Sequence, residues 1–432
     1  MSWPIYIDGQ RANQEAALWT RSPQEVTDDE YNAFYKHVTN DWQEPLIRLH
    51  IVADAPLQFQ AVLFIPKNRP WEMDRLDFKP GLRLYQKRVK ILDQAESLLP
   101  RFLRFVRGVV DAPEVELNVS RELLQQTPVL RAIRAQLTKR LLKKLKELSN
   151  KERETYERFW SEFGHIMKEG IAEETEHKDA LVGLLRFRST RSIVEPTPNQ
   201  EVVDGEGNEV QTSSVWRSFA DVKRDLKDGQ DAIWYLTDVD KDHIANKPIL
   251  EGFRKRGWEV LLMDDPVDEW VVMHVRDVEG TSLKSVSQGE FPAEEASDDP
   301  VAKAAREQAT PLAGWLGGLL GDQVADVRLS TRLTESPAVL VDQEGGMSAN
   351  LERILKAANQ KVGTSRRVLE INPEHPMVKT LARLRTEGKD EGMEPFARLL
   401  LDYATIAEGR LEDAEGFARR LQALMERASA SL

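Results

Sequence analysis

The sequence contains no cysteine, which excludes disulfides, thiolate metal sites and cysteine nucleophiles. It has only seven histidines, at positions 37, 50, 165, 177, 243, 274 and 375, and none forms an HxxxH or HxH pair, so no catalytic zinc site and no metal ligands are assigned. No run approaches the roughly 18 apolar residues of a spanning helix. The opening MSWPIYIDG lacks the basic-then-apolar layout of a signal peptide, so a cytoplasmic protein without a membrane partner is expected. Phosphate-cradling loops of the GxxxxGK[ST] or GxGxxG kind are missing too. The nearest candidate, Gly205 to Gly207 in VVDGEGNEV, has acidic neighbours that would repel phosphate and reads as a surface turn. Sixty basic against 72 acidic residues leave a net charge of −12, which argues against a nucleic-acid-coating protein. Composition and general motifs thus identify no self-contained enzyme.

What is there is a chain of 432 residues, 41% hydrophobic and 31% charged. At roughly 150 residues per domain this suggests about three domains, soluble and globular with a highly charged exterior. In LQFQAVLFI, strict alternation places Leu57, Phe59, Ala61, Leu63 and Ile65 on one side, predicting a strand with one face in a core. LRLYQKRVKIL from Leu82 is a second strand candidate. TDDEYNAFYKHVTND begins with a capping-type Thr27 followed by acids, then spaces Tyr31, Phe34, Tyr35 and Val38 on one helical stripe. Strands interleaved with helices suggest an α/β layer structure.

From Pro128 to Leu148 the text is helical, with Leu130, Ile133, Leu137, Leu141, Leu145 and Leu148 forming one apolar seam. The basic residues around it, Arg131, Arg134, Lys139, Arg140, Lys143, Lys144 and Lys146, read as a solvated face, with an anion-binding face as the alternative. Helical text continues to about Arg188. Residues 192–213 read as a loop or insert. AIWYLT, WEVLLM and EWVVMHV are expected to be three short strands of a smaller α/β unit. GEFPAEEASDDP, at 289–300, marks an acidic boundary. A helix through Trp315, strands near DVRLS and PAVLVD, and several amphipathic helices follow. The last, from about Ala414 to Ala428, spaces Phe417, Leu421, Leu424 and Met425 on one stripe, while EPFARLLLDYATIA is apolar around much of its circumference. Too little chain remains to cover both, which points to a dimerisation element.

The segments LWTRSPQEVTDDEYNAFYKHVTNDWQEPL, VLFIPKNRPWEM, GLRLYQKRVKILD, LLPRFLRFVRGVVDAPEVELNVSRELLQQTPVLRAIR and FWSEFGHIMKEGI closely resemble the middle domain of the heat shock protein 90 chaperone family. LKSVSQGE, VRLSTRLTESPAVLV, MSANLERILKAANQKV and EINPEHPMVK resemble the C-terminal part of its bacterial branch. The resemblance covers nearly the whole chain, in order, and implies an α/β and α+β multidomain architecture. A middle domain would span 1–290, comprising a large α/β unit (1–128), a helical connector (129–190) and a small α/β unit (191–290), and a mainly helical C-terminal dimerisation domain would span 291–432. No counterpart of the family's N-terminal nucleotide-binding domain is found, so a middle plus C-terminal fragment that is not an enzyme alone is expected, with ATP and Mg serving only the intact protein. The 192–213 segment is longer than the usual bacterial connection. The ending RASASL lacks the acidic pentapeptide of eukaryotic cytosolic members.

The resemblance also implies roles for particular residues. Arg121, in LNVSRELLQQ, matches the arginine that reaches the γ-phosphate of ATP, a task suited to a planar, permanently charged guanidinium. Gln125, one helical turn on, and Asn118 match further positions of that catalytic loop, although Asn118 is equally explained as a cap. Trp19 matches an aromatic where client or neighbouring-domain surfaces meet the middle domain. Glu269, Trp270 and Met273, with Met347, Ile354 and Leu355, resemble the client-binding surface, where adaptable apolar groups suit many partners. Leu399, Leu400, Tyr403, Phe417, Leu421 and Leu424 are expected at the dimer interface. The implied partners are a second copy, unfolded or partly folded clients and another chaperone system. The competing reading is a free-standing scaffold or dimerisation module with no nucleotide role.

Overall fold

The computed structural model describes residues 6–8, 10, 11, 17–55, 57–75, 78, 79, 81–115, 127–191, 216–292, 300–363, 365–390, 392–411 and 413–430. Its architecture is mixed α/β with a mainly helical C-terminal part, as the sequence implies. The chain divides into two compact units, 1–186 and 187–432. Among the described residues no helix is long and apolar enough to cross a membrane.

In the first unit a short hairpin, β1 (Tyr6–Ile7) with β2 (Gln10–Arg11), precedes helix α1 (Asp28–Thr39). Thr27 closes the expected capping box: its Oγ1 accepts from the Glu30 amide and Glu30 Oε2 accepts from the Thr27 amide. This arrangement satisfies two of the amides left over at a helix start. A five-stranded sheet follows in the order β3 (Ile47–Ala53), β4 (Phe59–Ile65), β7 (Arg107–Asp111), β5 (Gly81–Gln86), β6 (Val89–Leu92). LRLYQKRVKIL is thus a hairpin of two strands, β5 and β6, turning at Lys87 and Arg88. Both turn residues have positive φ, the twist a two-residue hairpin favours.

Strand β4 departs from the expectation of one buried face. Phe59, Ala61, Leu63 and Ile65 are buried, but so are Val62 and Phe64 on the opposite side. It lies between β3 and β7, and its second face, where Val109 of β7 sits beside Val62, is covered by Tyr31 and Tyr35 of α1 together with Trp19. Gly108 makes this close packing possible. Its φ is +134°, and a Cβ there would lie 2.1 Å from the Val62 carbonyl oxygen, so only glycine fits. Helices α2 (Pro128–Lys151), α3 (Arg153–Glu173) and α4 (Lys178–Val182) complete the unit. All six seam residues from Leu130 to Leu148 are buried, and most of the basic residues around them are exposed or half-buried.

The second unit opens with β8 (Arg188–Ser189), α5 (Phe219–Arg224), β9 (Ala232–Thr237), α6 (Glu251–Lys255) and β10 (Val260–Met263). EWVVMHV is not a strand: residues Asp268–His274 form helix α7. A short apolar run does not separate the two states. Its buried positions are Asp268, Glu269 and Val271, followed by the C-cap Val275, so the inward-facing residues follow a helical spacing and not the alternation of a strand. Strands β11 (Asp277–Val278) and β12 (Thr281–Ser285) then finish a sheet ordered β11-β12-β9-β10-β8.

Beyond the acidic segment come α8 (Pro300–Leu320), β13 (Asp326–Leu329), β14 (Ala338–Val341), α9 (Ala349–Ala357), β15 (Val368–Ile371), α10 (Pro376–Thr386), α11 (Glu394–Ala407) and α12 (Ala414–Ala430). The strands form a sheet ordered β13-β15-β14, in which β14 and β15 are buried on both faces. Ala338, Leu340, Leu369 and Ile371 meet α8, α10 and α11. Val339, Val341 and Val368 pack with Trp234 of β9, Phe253 of α6 and Trp258 just before β10. Residues on either side of position 290 therefore share one core, and the division between compact units falls at 186/187. Strands covered on both faces read as unbroken apolar runs, and PAVLVD is such a run.

Candidate functional site

Arg121, Gln125 and Asn118 lie outside the described residues, as does the 192–213 segment. The remaining expected site residues fall into three groups.

Trp19 belongs to the core and not to a surface. It is 8% exposed, its indole N–H donates to Asp111 Oδ2 at 2.9 Å, and its ring packs on Tyr85 with centroids 4.8 Å apart. Asp111 Oδ2 also accepts the Arg88 amide at 2.9 Å. A buried indole requires a partner for its N–H, and Asp111 supplies it while pinning the β5–β6 turn.

The second group lies within residues 187–432 and is brought together from two distant stretches of chain. Helix α7 carries Glu269, Trp270 and Met273; the start of α9 carries Met347, Ser348 and Asn350. Ser348 caps α9, its Oγ accepting from the Leu351 amide at 3.0 Å and donating to Glu269 Oε1 at 3.0 Å. Asn350 Nδ2 donates to the same oxygen at 2.9 Å. Glu269, expected at the surface, is 3% exposed, because two side chains from α9 satisfy its carboxylate from within. Around this junction Met273 is 54% exposed, and Trp270, Met347, Ile354 and Leu355 are half-buried. Partly open apolar side chains thus accompany the polar joint on both helices.

Behind the joint is a small cleft of about 50 Å³, lined by Leu236, Ile249 and Val339 and by the charged groups Asp238, Lys247, Asp342, Arg353, Glu408 and Arg410. The charges largely answer one another. Asp238 takes Lys247 on one oxygen and Arg353 Nη2 on the other at 2.7 Å. Burial alone would raise its carboxyl, but the two cations outweigh burial and hold it below the ordinary range. Arg353 Nη2 also donates to Asn350 Oδ1 at 2.9 Å, continuing the network to Glu269. Arg367 pairs with Glu408 and lies 3.4 Å from Asp342 Oδ1.

Burial raises the Glu408 carboxyl, and it raises that of Asp342 as well. Burial pushes its carboxyl up to about 7, with Arg367 offsetting part of the rise and the neighbouring Glu408 charge adding to it. The sign of the consequence follows from linkage. The folded state holds this proton to about pH 7, whereas the ordinary value is 3.8. Folding is therefore favoured by the group at low pH, and that stabilisation is lost as pH rises through 7. Asp342→Asn, which keeps an oxygen for the Ala349 amide, should flatten the fall in melting temperature between pH 5 and pH 8. Parallel curves for the two proteins, recorded by calorimetry, would refute the assignment.

The third group is on α11 and α12. Leu400 is not at an interface: it is buried with Ala338 and Leu340 against the three-stranded sheet. Leu399, Phe417 and Leu424 are half-buried, while Tyr403 and Leu421 are exposed. Helix α12 is tied to α11 by a bidentate pair, Arg420 Nε and Nη2 to Asp402 at 2.8 and 2.9 Å. Its outer face carries Ala418, Leu421, Met425 and Ser429 around a shallow apolar groove, with Leu421 38% and Met425 63% exposed.

One group was missed in the sequence altogether. Glu370, inside the otherwise apolar strand VLEI, accepts from Arg332 Nε at 2.9 Å, Arg328 Nη2 at 2.7 Å and Ser330 Oγ at 2.9 Å. Arg332 also donates to the carbonyls of Val286 and Gly289, joining the two sheets of the unit. The available signal was a lone carboxylate in a strand with no exposed face.

Comparison with known proteins agrees with the resemblance carried by the quoted segments. The family model described as Hsp90 protein matches residues 5–431. Chaperone protein HtpG of Mycobacterium leprae is 40% identical over 433 residues, covering 98% of this chain and 63% of the relative. HtpG of Rhodococcus jostii is 40% identical over 415 residues, with 95% and 62% covered. HtpG of Paramagnetospirillum magneticum is 42% identical over 428 residues, with 97% and 65% covered. The chain thus spans somewhat less than two thirds of the length of these relatives. With matching segments running in order through both compact units, and a family match over almost all of its residues, the chain belongs to the Hsp90 family.

Proposed function

We propose that residues 187–432 bind unfolded or partly folded polypeptides through an apolar surface made by Trp270, Met273, Met347, Ile354 and Leu355, and that the chain does so as a homodimer. The observation that carries this reading is the joint between α7 and α9, in which Ser348 and Asn350 donate to the buried Glu269, with partly open apolar residues on both helices. Large aromatic and flexible aliphatic groups left partly open at such a place fit many different apolar segments. For the dimer, support comes from the open stripe on α12. In a longer protein that includes a nucleotide-binding domain, Arg121 and Gln125 would serve ATP hydrolysis, a role that rests on the LNVSRELLQQ segment.

Trp270→Ala combined with Leu355→Ala should weaken binding of a fluorescently labelled unfolded polypeptide, such as reduced carboxymethylated α-lactalbumin, by about tenfold or more. A few apolar anchors usually dominate such contacts. Melting temperature should change little, since both side chains are only half-buried. Unchanged binding, or unfolding at much lower temperature, would show that these residues are ordinary packing.

A further inference from the structure

The resemblance places Glu269 among groups that touch the client, yet its carboxylate is turned inward and almost fully buried. One oxygen accepts two hydrogen bonds, from Ser348 Oγ and Asn350 Nδ2. Both donors belong to the first turn of α9. Ser348 is its N-cap, so the Oγ lone pair is committed to the Leu351 amide and the hydroxyl proton needs an acceptor elsewhere. Asn350 is buried, and its amide is spanned end to end: Nδ2 on Glu269, Oδ1 on Arg353, which continues to Asp238 at the end of β9. This chain of hydrogen bonds runs from α7 through the start of α9 to the sheet. Buried polar networks of this kind hold one geometry because every alternative leaves a donor unpaired.

We propose that Glu269 is a positioning residue. It does not contact bound polypeptide but clamps the first turn of α9 against α7, so that Trp270 and Met273 on one side and Met347, Ile354 and Leu355 on the other form a single surface of fixed geometry. This rests on the client-binding reading above and deepens it. The clamp needs an acceptor oxygen and not a negative charge. Glutamine in its place keeps a carbonyl oxygen able to take both hydrogen bonds, while alanine keeps none.

The test uses the full chain and the same labelled α-lactalbumin probe. Glu269→Gln should bind within about twofold of the parent at both low and high salt, and Glu269→Ala about tenfold more weakly. Ser348→Ala should reproduce part of that loss, and adding Asn350→Ala to Glu269→Ala should weaken binding little further, because coupled residues are not additive. Hydrogen exchange supplies a local readout: the Leu351 amide should exchange faster in Glu269→Ala and at the parental rate in Glu269→Gln. A Gln variant as weak as the Ala variant, with the loss sensitive to salt, overturns the clamp in favour of direct charge contact. Parental binding by Glu269→Ala overturns it as well. If Glu269→Ala fails to fold, Ser348→Ala with the Gln variant still decides. Failure of the Trp270/Leu355 variant to weaken binding would sink the surface itself; weakening there with none from Glu269→Ala would sink only the clamp.

Discussion

Replacing Glu370 with alanine should lower the melting temperature of the 187–432 unit by roughly 10 °C. Both Glu370 and Arg332 are at most 2% exposed, and burial depresses the Arg332 guanidinium while Glu370 opposes that shift. Removing the carboxylate strands a permanently charged group away from water. Breaking a buried pair from one side costs about 3–5 kcal/mol, and in a unit of this size each kcal/mol moves the midpoint by about 2–4 °C. Arg332→Ala should cost less, because Arg328 and Ser330 still hold Glu370. Replacing both members with apolar residues, Arg332→Met with Glu370→Leu, should recover much of the loss, since a well-packed apolar pair often matches a buried ion pair. Thermal unfolding followed by tryptophan fluorescence would read all three. An alanine variant melting within a few degrees of the parent would mean that the network does not join the sheets.

Leu421→Glu with Met425→Glu should convert a dimer into a monomer. The two side chains lie one helical turn apart on the open face of α12, beside Ala418 and Ser429. A pairing of this face across a two-fold axis would bury each substituted carboxylate twice. Desolvating an unpaired carboxylate costs several kcal/mol, so the dimer dissociation constant should rise by at least about a thousandfold. Each protomer should fold as before, because both positions face solvent within one chain. Light scattering at micromolar concentration distinguishes the outcomes, and a mass still near twice 49.3 kDa would place the interface elsewhere. Leu400→Glu is the contrasting case: it should unfold the protomer, since that side chain is core.

Much of the fold was legible because its signals are local. The Thr27 capping box needs only a hydroxyl and a carboxylate three residues apart, and the seam from Leu130 to Leu148 needs only the 3.6-residue period. The errors arose where a pattern is ambiguous over a short span. EWVVMHV is rich in β-branched and aromatic residues, but it follows a turn in which the Asp265 amide donates to Asp268 Oδ2 and packs through one side, which a helix satisfies better. For β4, alternation identified a strand correctly and misjudged its second face, because the helix that covers Val62 and Phe64 lies some 20 to 35 residues earlier in the chain.

The order of residues along the chain was enough to establish membership of the family, the mixed α/β class, the places of most helices and strands, and the existence of an unpaired apolar stripe near the C-terminus. Periodicity, capping chemistry and extended matching segments are all carried by near neighbours. Which side chains lose their water was settled only by packing. Trp19 and Glu269 could each have been surface groups; Asp111 in one case and Ser348 with Asn350 in the other draw them inside. The union of Arg332 with Glu370 and the proton held by Asp342 have the same origin. Burial and pairing depend on groups distant in sequence meeting in a medium that penalises any charge or donor left alone.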